Sequence, residues 1–544
     1  MNMDPGPDPK EGRPWPVWHG RYSLPAIIAA ARGGAIDHAW SMFRAGGFDR
    51  LDGDPAALVV KGRLLKEKAL RAVGDMRAHH FAEAAAAYAE ADRIQPQPYS
   101  RANVAALALL AGNVEHGRAM AADLLAWLER EPDFPETPYH IFAARAEALL
   151  VQGDTAGAEQ ALNDAIAREP AAWEDHALTL HQMERIAAAQ GLAVPWLARY
   201  QPPRSLHYVC RIGADDHAAE ALRPDIDRLL AAERIGFAFG GLNAGAEIVV
   251  AEQVLRHGAE LHVILPTDAA QFAQQSVARF GGNWVDRFGD CLRAATSVRA
   301  ATHVSGAYEP LAALLSADLA MGAAVLNAER LASEPIQLLI AGKAPDAPGG
   351  GTCEMARRWQ EAGRRQHLIR MSGQAAPLPH GELSARTDRR LAAMLHITFD
   401  GLDTLDEGRF AEALDEIVEP FRRTIAAFPI QPALVLPAGN ARLVAFADTD
   451  SAWAYAQRLL AEPLPRHPLR IGGHFALAHW LENPAALIGH GVAELNAIAV
   501  AAMPGVLTVS EAMAWSLFVS PTHGLRAEPV GEADGIRLFA MMRD

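Results

Sequence analysis

The stretch IGFAFGGLNAGAEIVVAEQVLRHGAELHVILP, residues Ile235 to Pro266, carries the organisation of the chain. Ile235–Phe239 is a short apolar run that closes on Gly240 and Gly241. Ala246–His257 sets Ile248, Val249, Val250, Val254 and Leu255 at helical spacing and stops at Gly258. Leu261–Leu265 is a second apolar run, ended by Pro266. Strand, glycine turn, helix and strand predict a βαβ unit, with the right-handed connection such units take. The turn GGLNAGAE brings bare backbone N–H groups to a helix N-terminus, where the dipole favours an anion. Gly240, Gly241 and Gly245 are therefore candidate ligand contacts. Glu247, in the helix's first turn, is a candidate acceptor for a sugar or base. The competing reading is a tight turn capped by an acid.

A chain of 544 residues exceeds what one core supports, so two to four domains are expected. A net charge of −15, with no local Lys/Arg cluster, argues against a nucleic-acid groove. Cys210, Cys291 and Cys353 share no metal spacing and cannot all pair, which fits a reduced, cytoplasmic setting. Residues 1–22 open with MNMDPGPDPKEG, a polar, proline-rich start that reads as a disordered lead rather than a signal peptide. No apolar run is expected to approach the ~20 residues of a membrane span.

Residues 23–200 predict helices, rich in Ala and Leu. Pro96, Pro132 and Pro170 each close a helical stretch, 36 and 38 residues apart, close to the ~34-residue tetratricopeptide (TPR) period. Small or aromatic residues fall at matching offsets: Ala84, Tyr88 and Ala91 before Pro96, then Ala158, Leu162 and Ala165 before Pro170, with Ala146 in the preceding helix. The segment PYSRANVAALALLAG (Pro98–Gly112) resembles the helical region that bacterial proteins of the TRAF-binding-domain type carry ahead of a Rossmann-like domain. Such repeats offer a groove for a protein partner, or else a scaffold for the next domain. His79-His80 invites a metal reading, but adjacent residues on a helix diverge, so both are expected as surface residues and no metal site is assigned.

Residues 203–373 alternate strands and helices. Leu206–Ile212, Val298–Val304, Ile336–Ala341 and His367–Met371 predict further strands, and Ala218–Glu233 a helix. The loop Gly342–Gly351 leads to Thr352, a natural N-cap, and a helix over Cys353–Gln360. This pattern predicts a Rossmann-like parallel sheet with both glycine loops on the carboxyl edge. The run AGAEIVVAEQVLRHGAELHVILP, with WVDRF (Trp284–Phe288), DLAMG (Asp318–Gly322) and GGGT (Gly349–Thr352), resembles the SLOG superfamily, Rossmann-like domains related to the lonely-guy phosphoribohydrolases. The resemblance implies a nucleotide-derived ligand over Gly240, Gly241, Gly245, Glu247, Gly349, Gly350, Gly351 and Thr352. The hydrolase branch carries PGGxGTxxE. Here Met355 stands at the final acid, and Glu354 lies one residue early, about 100° away on a helix. Methionine cannot polarise a ribose, which favours binding over hydrolysis.

Residues 385–544 predict a strand (MLHITF), a helix over Asp406–Phe428, a hairpin over Ala433–Ala447, then helix, strand, helix and strand, an α+β, ferredoxin-like order. AMPGVLTVSEAMAWSL (Ala502–Leu517) resembles the PG-x-x-x-VSE segment of class III adenylate/guanylate cyclases. That family needs two metal-binding carboxylates, an asparagine and an arginine. The matching positions hold Thr398, Asn440, Ala493 and Ala497, which removes the metal grip and the charge that balances the triphosphate. Asp400, Asp403 and Asp406 read as helix-capping acids. The resemblance implies a silent cyclase-like module that retains a homodimer surface. The combined expectation is a signalling protein that binds a nucleotide-type ligand. A nucleotide N-glycosidase using Glu247 or Glu354, a divergent cyclase and an interaction scaffold are the alternatives.

Overall fold

The computed structural model describes residues 23–32, 35–130, 137–210, 216–303, 309–342, 351–372, 388–399, 406, 408, 426, 428–438, 441–461, 469–520 and 524–543. The chain divides into two compact units, one of Met1–Glu169 with Gln182–Val194, the other of Pro170–His181 with Pro195–Asp544.

The first unit is helical: α1 (Leu24–Arg32), α2 (Ile36–Ala45), α3 (Pro55–Arg71), α4 (Gly74–Ile94), α5 (Pro98–Leu110), α6 (Val114–Arg130), α7 (Pro138–Gln152) and α8 (Thr155–Arg168), with part of α9 (Trp173–Gln190). Prolines open α3, α5 and α7, where a missing N–H costs nothing. Asp54, Thr137 and Asp154 cap α3, α7 and α8 through their side chains. Pro96 and Pro170 stand just past α4 and α8, where they stop the helix. Ala84, Tyr88, Ala91, Ala146, Ala158, Leu162 and Ala165 are all buried. Gly62 and Gly117 allow close helix approach, since a Cβ there would lie 2.8 Å from the Tyr88 ring and from the Ala105 carbonyl oxygen.

The second unit holds two sheets. The first is wholly parallel in the order β4-β3-β2-β1-β5-β6, built from β1 (Arg204–Cys210), β2 (Ile235–Gly240), β3 (Glu260–Leu265), β4 (Ser297–Ala300), β5 (Pro335–Ala341) and β6 (Gln366–Arg370). The expected helix Ala218–Glu233 is two, α10 (Asp216–Glu220) and α11 (Arg223–Ala232). Pro224 lacks the N–H that would continue the first helix and starts the second. The expected strand Val298–Val304 ends at Ala300, at an edge where Val298, Arg299 and Ala300 are exposed. Helices α12 (Ala246–Arg256), α13 (Ala269–Phe272), α14 (Trp284–Ala294), α15 (Pro310–Arg330) and α16 (Gly351–Glu361) connect these strands.

The second sheet is mixed, in the order β13-β14-β12-β10-β7-β9-β8, with β11 paired to β10. Its members are β7 (Arg389–Phe399), β8 (Leu434–Ala438), β9 (Ala441–Phe446), β10 (Leu469–Glu482), β11 (Ala485–Ile488), β12 (Leu507–Ser510), β13 (Leu525–Ala533) and β14 (Ile536–Arg543). Helices α17 (Thr449–Leu460), α18 (His490–Ala501) and α19 (Glu511–Val519) accompany it. Strand β10 extends to Glu482, and β11, α19 and the β13–β14 hairpin were not anticipated. The expected helix Asp406–Phe428 lies almost wholly outside the described residues.

One helix corrects an expectation. α15 is 21 residues long and, with a mean hydropathy of 1.6 in its most apolar window, is long and apolar enough to cross a membrane. Some 72% of that window is buried inside the fold, so its composition answers to a core. It packs on β1, β2 and β3 along one side and on α19 along the other. A Cβ on Gly322 would fall 1.8 Å from the Trp515 carbonyl oxygen, so α15 and α19 meet backbone to backbone there. Beside this contact, buried Asp318 accepts from Ser516 Oγ (2.8 Å) and pairs with Arg358. Arg364 donates to the Phe518 and Val519 carbonyls (2.8 and 2.9 Å), which closes the C-terminal end of α19. The DLAMG run is thus where α15 grips the terminal module, and one hydrophobic core continues from Phe239 and Leu319 to Met513 and Phe539.

Candidate functional site

Gly240 ends β2 and Gly245 precedes α12. Gly245 has φ 98°, ψ −126°, a conformation that side-chain-bearing residues rarely adopt. A Cβ on Gly240 would strike the Tyr208 ring at 2.5 Å, and one on Gly241 would lie 2.8 Å from Glu247 Oε2. Tyr208 Oη donates to the Gly241 carbonyl (2.8 Å). The Asn243 backbone N–H and its side-chain amide both donate to Glu247 Oε2 (2.7 and 2.9 Å). Glu247 is therefore tied to the turn it follows. Burial pushes its carboxyl above the usual range, while hydrogen bonds from Asn243 and the Cys210 backbone hold it partly down.

Gly240, Gly241 and Glu247 line one cavity of about 90 Å³, with Asn243 and Tyr208 from the same edge. Of its other walls, Ser276, Arg279 and Phe280 after β3 and Ser316 on α15 were not singled out in the sequence, while Ala320 on α15 belongs to the DLAMG run. Arg279 is the cation of this set, its guanidinium 4.7 Å over the Phe280 ring. The rule that ligands sit at the carboxyl ends of parallel strands is the signal that points to the segment after β3. The strands ahead of the two glycine loops, β2 and β5, pair with β1 on either side, roughly 10 Å apart by strand spacing, and all three run parallel.

The remaining candidates separate. Gly349 and Gly350 lie outside the described residues. Gly351 and Thr352 open α16, but their surroundings are not described. Glu354 is absent from the cavity wall. It accepts from Arg357 (2.6 and 3.1 Å), and that bond holds its carboxyl below the usual range. Met355 is fully buried in the core with Trp359. In the terminal module Thr398 lies on β7 opposite Arg470. On α18, Ala493 is exposed and Ala497 half-buried. Asn440, Asp400 and Asp403 lie outside the described residues, and Asp406 is exposed. In the first unit, His79 and His80 both approach Glu83 Oε2 (3.6 and 3.0 Å) on the surface of α4, which groups three possible metal ligands that the sequence placed apart.

No protein-family model and no curated protein matches the chain. Its structural neighbours include cyclase domains, over less than a third of its length. The adenylyl cyclase CyaB from P. aeruginosa is 10% identical over 29% of this chain and 95% of that one, with a TM-score of 0.24. The guanylate cyclase domain of RhGC from Catenaria anguillulae is 11% identical over 28% and 97%, at 0.23. An adenylate/guanylate cyclase/hydrolase from Silicibacter pomeroyi is 17% identical over 29% and 99%, at 0.23.

Proposed function

We propose that this chain is a regulatory protein that binds a nucleotide-derived ligand at the turn after β2 and carries a cyclase-like module without cyclase chemistry. The observation behind the first half is the convergence of Gly240, Gly241, Asn243 and Glu247 with Arg279 around one cavity on the carboxyl edge of the parallel sheet. The cavity suits a phosphoryl group near the turn, with the nucleoside lying outward past Phe280. Methyl groups at Ala493 and Ala497 support the second half, since they can neither hold a metal nor neutralise a triphosphate. The helical unit would serve as a TPR-type docking scaffold for a protein partner. The terminal module would pair with a second copy, a role that exposed Val435, Ile488 and Val500 support. Calorimetry with AMP, cyclic AMP, NAD and ADP-ribose tests the ligand reading; a panel without heat sinks it.

A second reading has its own support. A buried carboxyl held above its usual range beside a cavity is what a general acid needs. Glu247 would then protonate a leaving base in nucleotide N-glycoside hydrolysis. Chromatography of AMP incubated with the protein decides it: adenine appears with the wild type and is lost in Glu247→Gln, or hydrolysis is excluded.

A further inference from the structure

A larger pocket, about 360 Å³, lies between the two sheets of the second unit and shares with the turn cavity only Ile264. Its first wall is the segment Arg299–His303 at and after β4. The second comes from β10, α18, the start of α19 and the β13–β14 turn. Its volume falls within the ~300–1,000 Å³ of small-molecule sites.

Its charges are arranged in shared pairs. Glu511, at the start of α19, forms ion pairs with Arg537 Nε (3.1 Å) and Arg299 Nε (3.5 Å), so a cation from each wall converges on one carboxylate. Among the described residues, no hydrogen bond uses the Nη groups of either arginine. Glu494 on α18 lies between His474 Nε2 (2.9 Å) and His303 Nε2 (3.4 Å), again one group from each wall. The His490 ring lies 5.1 Å from that of His303. His474 is buried and is fixed from behind by Ser510 Oγ at its Nδ1 (2.7 Å). With Arg389 and His479 also on the lining, two carboxylates face three arginines and four imidazoles, an excess of donors, although Arg389 is paired with Glu309 (3.1 Å). Leu319, Phe475, Ala476 and Trp515 make the rest of the lining apolar.

We propose that this pocket binds a small organic phosphate, its phosphate held by Arg299, Arg537 and His303 and its body lying on the Ala476–Trp515 wall. Arginine forks match phosphate oxygens in pairs, and the Nη groups supply those forks while the Nε groups stay on Glu511. The apolar wall and the volume exceed what inorganic phosphate fills, so an ester is the expected source. Bound there, it would tie the edge of the parallel sheet to the mixed sheet.

Hydrogen exchange of the full chain, with AMP and separately with inorganic phosphate, tests this by location. The expected result is slowed exchange over 299–303 and 535–537, at an AMP concentration at least about tenfold below that of phosphate. The Arg299→Ala/Arg537→Ala double variant should lose it. Both side chains are about half exposed, so the unliganded exchange of the variant should match wild type elsewhere. Arg537→Lys, which keeps the charge but not the fork, should weaken the effect. Slowing confined to 240–247 would overturn the proposal while leaving the turn site standing, and slowing at neither place would overturn both. An equal response to phosphate and AMP would overturn the ester.

Discussion

The turn after β2 and the pocket between the sheets are built in opposite ways. The turn draws its glycines, Asn243 and Glu247 from one run of eight residues, and its geometry is local: a backbone conformation open to Gly245 and a carboxylate bonded back to its own loop. The pocket takes charged groups from Arg299, His303, Arg389, His474, Glu494, Glu511 and Arg537, brought together from both sheets and the helices on the mixed one. The smaller cavity is built around one contiguous motif, whereas the larger draws Ser510, Glu511 and Trp515 from the AMPGVLTVSEAMAWSL run and its cations from elsewhere. Glycine motifs advertise backbone cradles, whereas charge clusters assembled at a sheet–sheet boundary leave no periodic trace.

The strongest way to break this contrast is to disturb the helix common to both sites. Gly322→Leu would drive a side chain into the Trp515 backbone, and should lower stability by about 3 kcal/mol or more, read as a shift in the urea midpoint. Both sites should fail together, because α15 supplies Ser316 and Ala320 to one and Leu319 to the other. Gly245→Ala separates them. Its strained backbone should cost about 1–3 kcal/mol and abolish AMP protection over 240–247, while protection over 299–303 persists.

Glu247→Gln sharpens the comparison with a smaller effect, below that of either glycine change. Burial raises the Glu247 carboxyl in the folded state, so its contribution is fully present below the usual glutamate pKa and is lost as pH rises through the raised value. The glutamine variant lacks that loss. Its stability relative to wild type should therefore improve from acid to neutral pH in matched urea titrations. Val435→Glu with Ile488→Glu should leave stability within about 0.5 kcal/mol, since both residues are exposed, while light scattering reports a monomer in place of a dimer. The smallest expected signal is none: with ATP or GTP and Mn²⁺ the protein should yield no cyclic nucleotide, and any product overturns the silent-module reading.

Much of the second unit was legible because apolar runs bounded by Gly and Pro leave few choices. β1, β2, β3, β5 and β6 fall within about two residues of their expected limits, as does α12. The split at Pro224 was written in the sequence but lost under an otherwise helical pattern. The early end of β4 was not written there, since an exposed edge and a buried strand can share the same β-branched residues. α15 shows the reverse problem: Pro310–Arg330 has a membrane-like composition because both of its faces are covered, one by a sheet and one by α19.

Sequence alone determined the alternation of strand, glycine turn and helix and the stop of α4 and α8 before Pro96 and Pro170, because each depends on backbone freedom or on an N–H that no packing can supply. Only tertiary structure decided that Glu247 turns inward onto Asn243 while Glu354 stays with Arg357, that Asp318 and Gly322 hold α19, and that arginines more than two hundred residues apart converge on Glu511. Those outcomes depend on which face each helix and strand buries, a choice made collectively by the shared core.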